Sequence, residues 1–422
     1  MKPLAATKAK REFALLFSVT LVTASGNTAM LSVLPGLGRS LQWPDWLIVT
    51  TFSFSSLVWA IFSPIWARRS DHSGRRPMIL MGLVGFILTN GLCGLALTAG
   101  LMGLIDPLLA FVLVMLGRLF YGCLGSAAPP AVQAMVAART SRRRRTTAMS
   151  LLASAFGLGT ILGPALTPFF VIPPVGLAGP AYVSVVVGIG MLLLAYWRIP
   201  EDDTPLTHVR PTANAELDDL GMMPSVGPTA EESPARLSFT DPRIRPWVVV
   251  GIVTGHAQAV VGQVVAFLVI DRLVLSPIAA QPLIGLVLMS GAGAALLAQW
   301  GLIPRLRLEP RTMVIWGSLA ATIGSAAVAF APDAHAIGVG FAIASLGFGL
   351  IRPGFTAGAS LSVEPREQGA VAGCVSSING ATFVLGPSIG IAFYHLSAPL
   401  PYLVSAASMA LLAIYCRRTI KA

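Results

Sequence analysis

Apolar runs of about 20 residues alternate with short polar or basic turns along almost the whole chain. At about 1.5 Å rise per residue, a helix of that length crosses the roughly 30 Å hydrocarbon core of a bilayer. Twelve runs qualify: 13–35, 46–67, 77–98, 107–136, 146–170, 178–198, 247–270, 282–303, 312–331, 336–361, 368–394 and 399–416. The pattern predicts an all-α, multi-pass membrane protein whose two ends lie on the same side. One segment, 199–245, breaks the pattern. It carries Glu201, Asp202, Asp203, Glu216, Asp218, Asp219, Glu231, Glu232 and Asp241 among several prolines. It is too short and polar to bury a core and reads as an acidic linker, placing the halves at 1–198 and 246–422.

Charge assigns the sides. Lys2, Lys8, Lys10 and Arg11, the turn near Arg75, Arg139 with residues 142–145, Arg305, Arg307, Arg311, Arg366, Arg417, Arg418 and Lys421 fall on one side, and only Arg39 and Arg272 on the other. Short basic loops stay in the cytoplasm, so both termini and the linker are expected there. The net charge of +11 sits in these loops, not on one face, which argues against nucleic acid as a partner. With 55% hydrophobic and 11% charged residues, a soluble globular chain is excluded. Cys93, Cys123, Cys374 and Cys416 lie in apolar runs with neither zinc nor disulfide spacing, so no metal site is expected. The basic start and following apolar stretch imitate a signal peptide, but the run continues through Leu34 and is long enough to span, so no cleavage is expected.

Residues 63–80 form the tightest turn, Ser-Pro-Ile-Trp-Ala-Arg-Arg-Ser-Asp-His-Ser-Gly-Arg-Arg-Pro-Met-Ile-Leu. Gly74 permits the bend, and Pro77 suits the first position of the next helix. Asp71 can tie two helix ends together by charge-assisted hydrogen bonds. The run resembles the signature loop of the major facilitator superfamily, Gly-x-x-x-Asp-Arg-x-Gly-Arg-Arg. Asp71, Gly74, Arg75 and Arg76 match it, whereas Ala67 and His72 depart from it. The halves also repeat: Pro130 and Gly163-Pro164 reappear as Pro353 and Gly386-Pro387, with one offset (353 − 130 = 386 − 163 = 223). The resemblance implies the major facilitator fold, twelve helices in two pseudo-symmetric six-helix bundles.

Candidate chemistry is sparse. Arg118, near mid-membrane on the fourth span, must face protein or water, because an arginine in lipid costs roughly 2.5–3.5 kcal/mol. With Tyr121 and Gly122 it resembles the family's fourth-helix Arg-x-x-Gln-Gly motif, which implies a role in proton transfer or substrate charge. Gly159, Gly163 and Pro164 let a helix pack closely and bend, and resemble the Gly-x-x-x-Gly-Pro motif of drug:proton antiporters. Gly386 and Pro387 give a similar bend. No acid lies deep in the spans. His256 is either the proton carrier, since histidine as a residue type changes charge near neutrality, or a neutral core histidine; Asp271, at a helix edge, is the substitute. Arg352 would either attract an anionic or zwitterionic substrate or pair with Asp71 or helix ends. Asn27, Gln258, Gln263 and Asn379 offer hydrogen bonds to a central cavity or between helices.

The resemblance implies a monomeric inner-membrane transporter, not an enzyme. Its partners would be a small-molecule substrate, protons and the bilayer. Proton-coupled export by alternating access is expected. An importer or facilitator of a metabolite, an exporter of a siderophore or sugar, and a non-transporting scaffold are the alternatives. No Gly-x-x-x-x-Gly-Lys-Ser/Thr loop occurs, so neither ATP drive nor a cofactor is expected.

Overall fold

The computed structural model describes residues 2–139, 142–173, 175–200, 238–364 and 367–420. Within the helices, the side chains of 2–9, of much of 142–153 and 368–380, and of single residues such as Arg68, Asp71, His72 and Asn379 lie outside the description. So does most of the 199–245 linker. The helices are α1 (Lys2–Ser40), α2 (Asp45–Ser73), α3 (Arg75–Leu101), α4 (Pro107–Leu124), α5 (Ala128–Arg139), α6 (Arg142–Leu166) and α7 (Gly179–Arg198). The second series is α8 (Arg245–Leu273), α9 (Pro277–Leu296), α10 (Ile303–Leu306), α11 (Pro310–Phe330), α12 (Ala334–Leu361), α13 (Gln368–Leu396) and α14 (Leu400–Thr419). A 3-10 turn joins α4 to α5, and a π turn over Leu297–Leu302 joins α9 to α10. Each joined pair makes one crossing, so the described helices make twelve.

Chain punctuation explains the ends. Asp106, Ser276 and Asp333 cap α4, α9 and α12 by accepting N–H bonds from Leu108, Ala279 and Ala336. Proline occupies the first turn of several helices, where no intrahelical N–H bond is lost. Gly74 sits at φ +88° as the single residue between α2 and α3, a conformation that favours glycine. The sequence put Pro77 at the first helical position. α3 instead starts at Arg75, leaving Pro77 in the first turn, where its missing N–H is still harmless.

Both helical ends, Lys2 and Thr419, lie at one face, here the near face; the other is the far face. Glycine seams set the packing within each half. A Cβ on Gly159 would lie 2.6 Å from Ala24 Cβ and 2.8 Å from the Leu21 carbonyl oxygen. One on Gly163 would strike Thr28 and the Ser25 carbonyl. In the second half a Cβ on Gly386 would lie 2.5 Å from Ala259 Cβ, and one on Gly390 3.2 Å from the Val260 backbone. The repeated Gly-Pro elements thus do the same job twice: α6 locks onto α1, and α13 onto α8.

The halves meet near the far face. Gln281 Nε2 donates to Ser32 Oγ at 3.3 Å, and the Ser53 and Ser388 hydroxyls lie 3.1 Å apart. A Cβ on Gly285 of α9 would lie 2.8 Å from the Pro164 carbonyl oxygen of α6. Arg39 crosses to Asp271 at the very edge.

Candidate functional site

Arg118 is buried, 5% exposed, between α1, α2 and α4. Its Nη1 donates to Asn27 Oδ1 at 3.0 Å, and Nε has no partner among the described residues. The guanidinium lies 4.5 Å from the Phe52 ring centre and 5.3 Å from that of Tyr121. Two aromatic faces and one amide therefore hold the charge, and no carboxylate among the described residues bonds to it. Cation–π contacts of this kind are worth about 0.5–2 kcal/mol each, which offsets part of the desolvation of a buried cation. The niche fits tightly because Gly122 lets α4 touch α2, where a Cβ would lie 2.5 Å from the Ser55 carbonyl oxygen. Ser55 Oγ donates to the Arg118 carbonyl at 2.8 Å.

A second polar region lies on α8, α12 and α13. Thr254, Gln258 and Arg352 line one pocket with Phe355 and Phe383. Arg352 is surrounded by protein yet keeps exposed surface. His256, half-buried on α8, has Nδ1 2.8 Å from the Ile252 carbonyl oxygen, so it does not share that pocket's lining. Gln263, two turns further along, lines a separate apolar pocket with Leu31, Phe52 and Phe267.

At the far face Arg39 holds two carboxylates. Nε and Nη2 donate to Asp45 at 3.0 and 2.7 Å, and Nη2 also donates to Asp271 at 3.0 Å. Tyr394 of α13 donates its hydroxyl to Asp271 at 2.7 Å.

The sequence model of the Major Facilitator Superfamily matches residues 16–355. The chain belongs to the major facilitator superfamily. It is 24% identical over 398 residues to the class B tetracycline resistance protein of Escherichia coli, covering 90% of this chain and 88% of that one. A shorter stretch of 152 residues is 29% identical to the class D tetracycline resistance protein of Salmonella ordonez, 35% of each chain. Among solved structures it is similar to a bacterial homolog of the human lysosomal transporter Spinster, inward-facing and unoccupied (TM-score 0.67, 14% identity, 99% of this chain and 96% of that one). It is also similar to a human organic anion transporter (TM-score 0.65, 18% identity, 97% and 99%). At these identities the structural likenesses establish the fold.

As a major facilitator transporter, the protein is a multi-pass membrane protein acting on a small molecule. The loop that resembles the family's signature is described in part. Gly74 makes the bend, and Arg76 donates to the Tyr196 carbonyl at 2.6 Å and stacks over that ring at 5.2 Å. Arg75, the adjacent matched residue, is half-buried in the first turn of α3. Asp71 and Asn379 fall outside the described side chains. The structure joins Asn27, Arg118 and Tyr121 in one niche and Gln258 with Arg352 in another, and leaves His256, Gln263 and Asp271 apart. Sequence reasoning overlooked Arg39, Tyr394 and Thr254. Arg39 carried a signal: with Arg272 it is one of two arginines on the side otherwise depleted of positive charge.

Proposed function

We propose that this transporter exports a small amphiphilic compound in exchange for protons. The observation that carries the reading is the α6–α1 seam, where Gly159 and Gly163 bring two backbones together just before Pro164. That is the packing through which the Gly-x-x-x-Gly-Pro motif of drug:proton antiporters would act, and similarity to tetracycline resistance proteins over 90% of the chain supports it. In this reading the near face is cytoplasmic, the membrane is the inner membrane, and the acidic linker joins halves 1–198 and 246–422 of a monomer. The halves rock about the seams, and the far-face contacts keep the outer side shut in the state described here. Asp271 is engaged by Arg39 and Tyr394 when that side is shut, so it serves as a gate. His256, half-buried within the span, is left as the proton carrier.

A second reading, a facilitator without proton coupling, is favoured by one feature: among the described residues Arg118 bonds to the amide of Asn27 and not to a carboxylate that could exchange a proton. The test is accumulation of a compound panel that includes tetracycline in an efflux-deficient bacterium. Export predicts lower accumulation with the chain present and restoration by a protonophore. Accumulation that responds to the chain but not to the protonophore supports the facilitator. Accumulation unchanged for every compound contradicts export.

A further inference from the structure

We propose that the pocket between α8, α12 and α13 binds the acidic group of an organic anion, so that the transported compound carries a carboxylate or an equivalent acid. Arg352 supplies the charge. Five N–H donors sit on its guanidinium, and no side chain among the described residues accepts from them. Arg352 nevertheless keeps exposed surface and lines the pocket, one turn from the exposed Thr356. An unpaired cation within a membrane span calls for an anion or water at its head.

The second observation is independent. Thr254 is 5% exposed, and its hydroxyl has no partner among the described residues. Threonines in these helices ordinarily donate to the carbonyl four residues back, as Thr23, Thr28 and Thr356 do. Thr254 lacks that bond although it lines the pocket beside Arg352, so its donor is left for a ligand. Gln258, one turn further along α8, adds an amide N–H to the same wall. Among the described residues no acidic side chain lines the pocket, and Phe355 and Phe383 complete its wall. Arginine, threonine and amide donors without an acceptor carboxylate favour an anion and reject a cation.

That the anion is cargo rests on the transport reading above; that it binds does not, and binding is what is measured. The probe pair is naphthoate and its uncharged amide, titrated calorimetrically into the full chain in nanodiscs of zwitterionic lipid. Naphthoate is expected to bind at least about tenfold more tightly than the amide. Arg352→Gln should abolish that preference, Arg352→Lys should retain part of it, and Thr254→Val should weaken naphthoate alone by severalfold. Should Arg352→Gln fail to fold, the wild-type preference and Thr254→Val decide. Equal binding of the pair, binding of neither, or an unchanged preference in well-folded Arg352→Gln overturns the proposal. Anionic lipid headgroups share this chemistry, and naphthoate binding that disappears when anionic lipid replaces the zwitterionic lipid assigns the site to lipid and overturns the substrate claim. Naphthoate binding without proton-driven flux in vesicles refutes the export reading and leaves the site standing.

Discussion

Arg39, at the end of α1, donates to Asp271, at the end of α8, and so ties the first half of the transporter to the second at the far face. Asp45 holds the same guanidinium from α2, and Tyr394 holds the same carboxylate from α13. Four residues from four helices converge on one point between the halves. The side chains of Arg39 and Asp271 are 21% and 43% exposed, so solvent screens the pair and its worth is small, roughly 0–1 kcal/mol.

A small energy suffices to shift a two-state equilibrium. Asp271→Asn is expected to raise the population open at the far face by about two- to fivefold. Labelling of a cysteine introduced at Gln42 by an impermeant thiol reagent, applied from the far side, measures it. Labelling no faster than in the parent would show that the pair does not hold the face shut.

The helix seam gives a sharper contrast. A methyl at Gly163 meets the α1 backbone at Ser25, which cannot rotate away, whereas Gly190 on α7 has nothing within 4 Å of a built Cβ. Overpacking costs about 1–3 kcal/mol, so Gly163→Ala should cut transport by about tenfold or more, and Gly190→Ala should leave it unchanged. Parallel transport and melting measurements on both variants check this. Equal behaviour of the two would remove the seam from the mechanism.

Arg118 separates stability from function. It is a buried cation held by an amide and two rings, and one of its N–H groups is unpartnered. Replacing such a buried charge by an apolar side chain of similar length is often neutral or stabilising. Arg118→Met should therefore keep the melting temperature within a few degrees of the parent while transport falls by at least about tenfold. A large drop in melting temperature would make the residue structural.

Outside the spans, Arg243 joins Asp241 and Glu367 near the start of α8. Its hydrogen bonds hold the Asp241 carboxyl below the ordinary aspartate range. A depressed carboxyl stabilises the fold above its unfolded value, about pH 4, and that contribution is lost as pH falls through the folded value. Melting temperature followed between pH 7 and pH 3 should fall less steeply in Asp241→Asn than in the parent. Parallel curves would contradict the assignment.

Apolar run length exposed every crossing, because each must match the bilayer. The helix ends were less legible. α1 continues to Ser40 and α9 starts at Pro277, since helices outlast the apolar stretch that reveals them. The Ser276-Pro277 cap was the available signal for α9. Asn27 and Arg118 each stood out as polar residues in apolar runs, but their bond spans 91 positions and depends on helix rotation that hydropathy does not encode. Thr254 is an ordinary helical threonine in sequence. Only the missing bond to its own helix marks it.

Proton exchange is the central claim, and proteoliposomes with an acidic interior test it most directly. They are loaded with a pH-sensitive dye and given a compound whose cellular accumulation the chain lowers. Addition of that compound should draw protons out while it accumulates inside against its gradient, and His256→Gln should abolish the proton movement. A compound that merely equilibrates, with no proton movement and no effect of the pH gradient, would contradict the account.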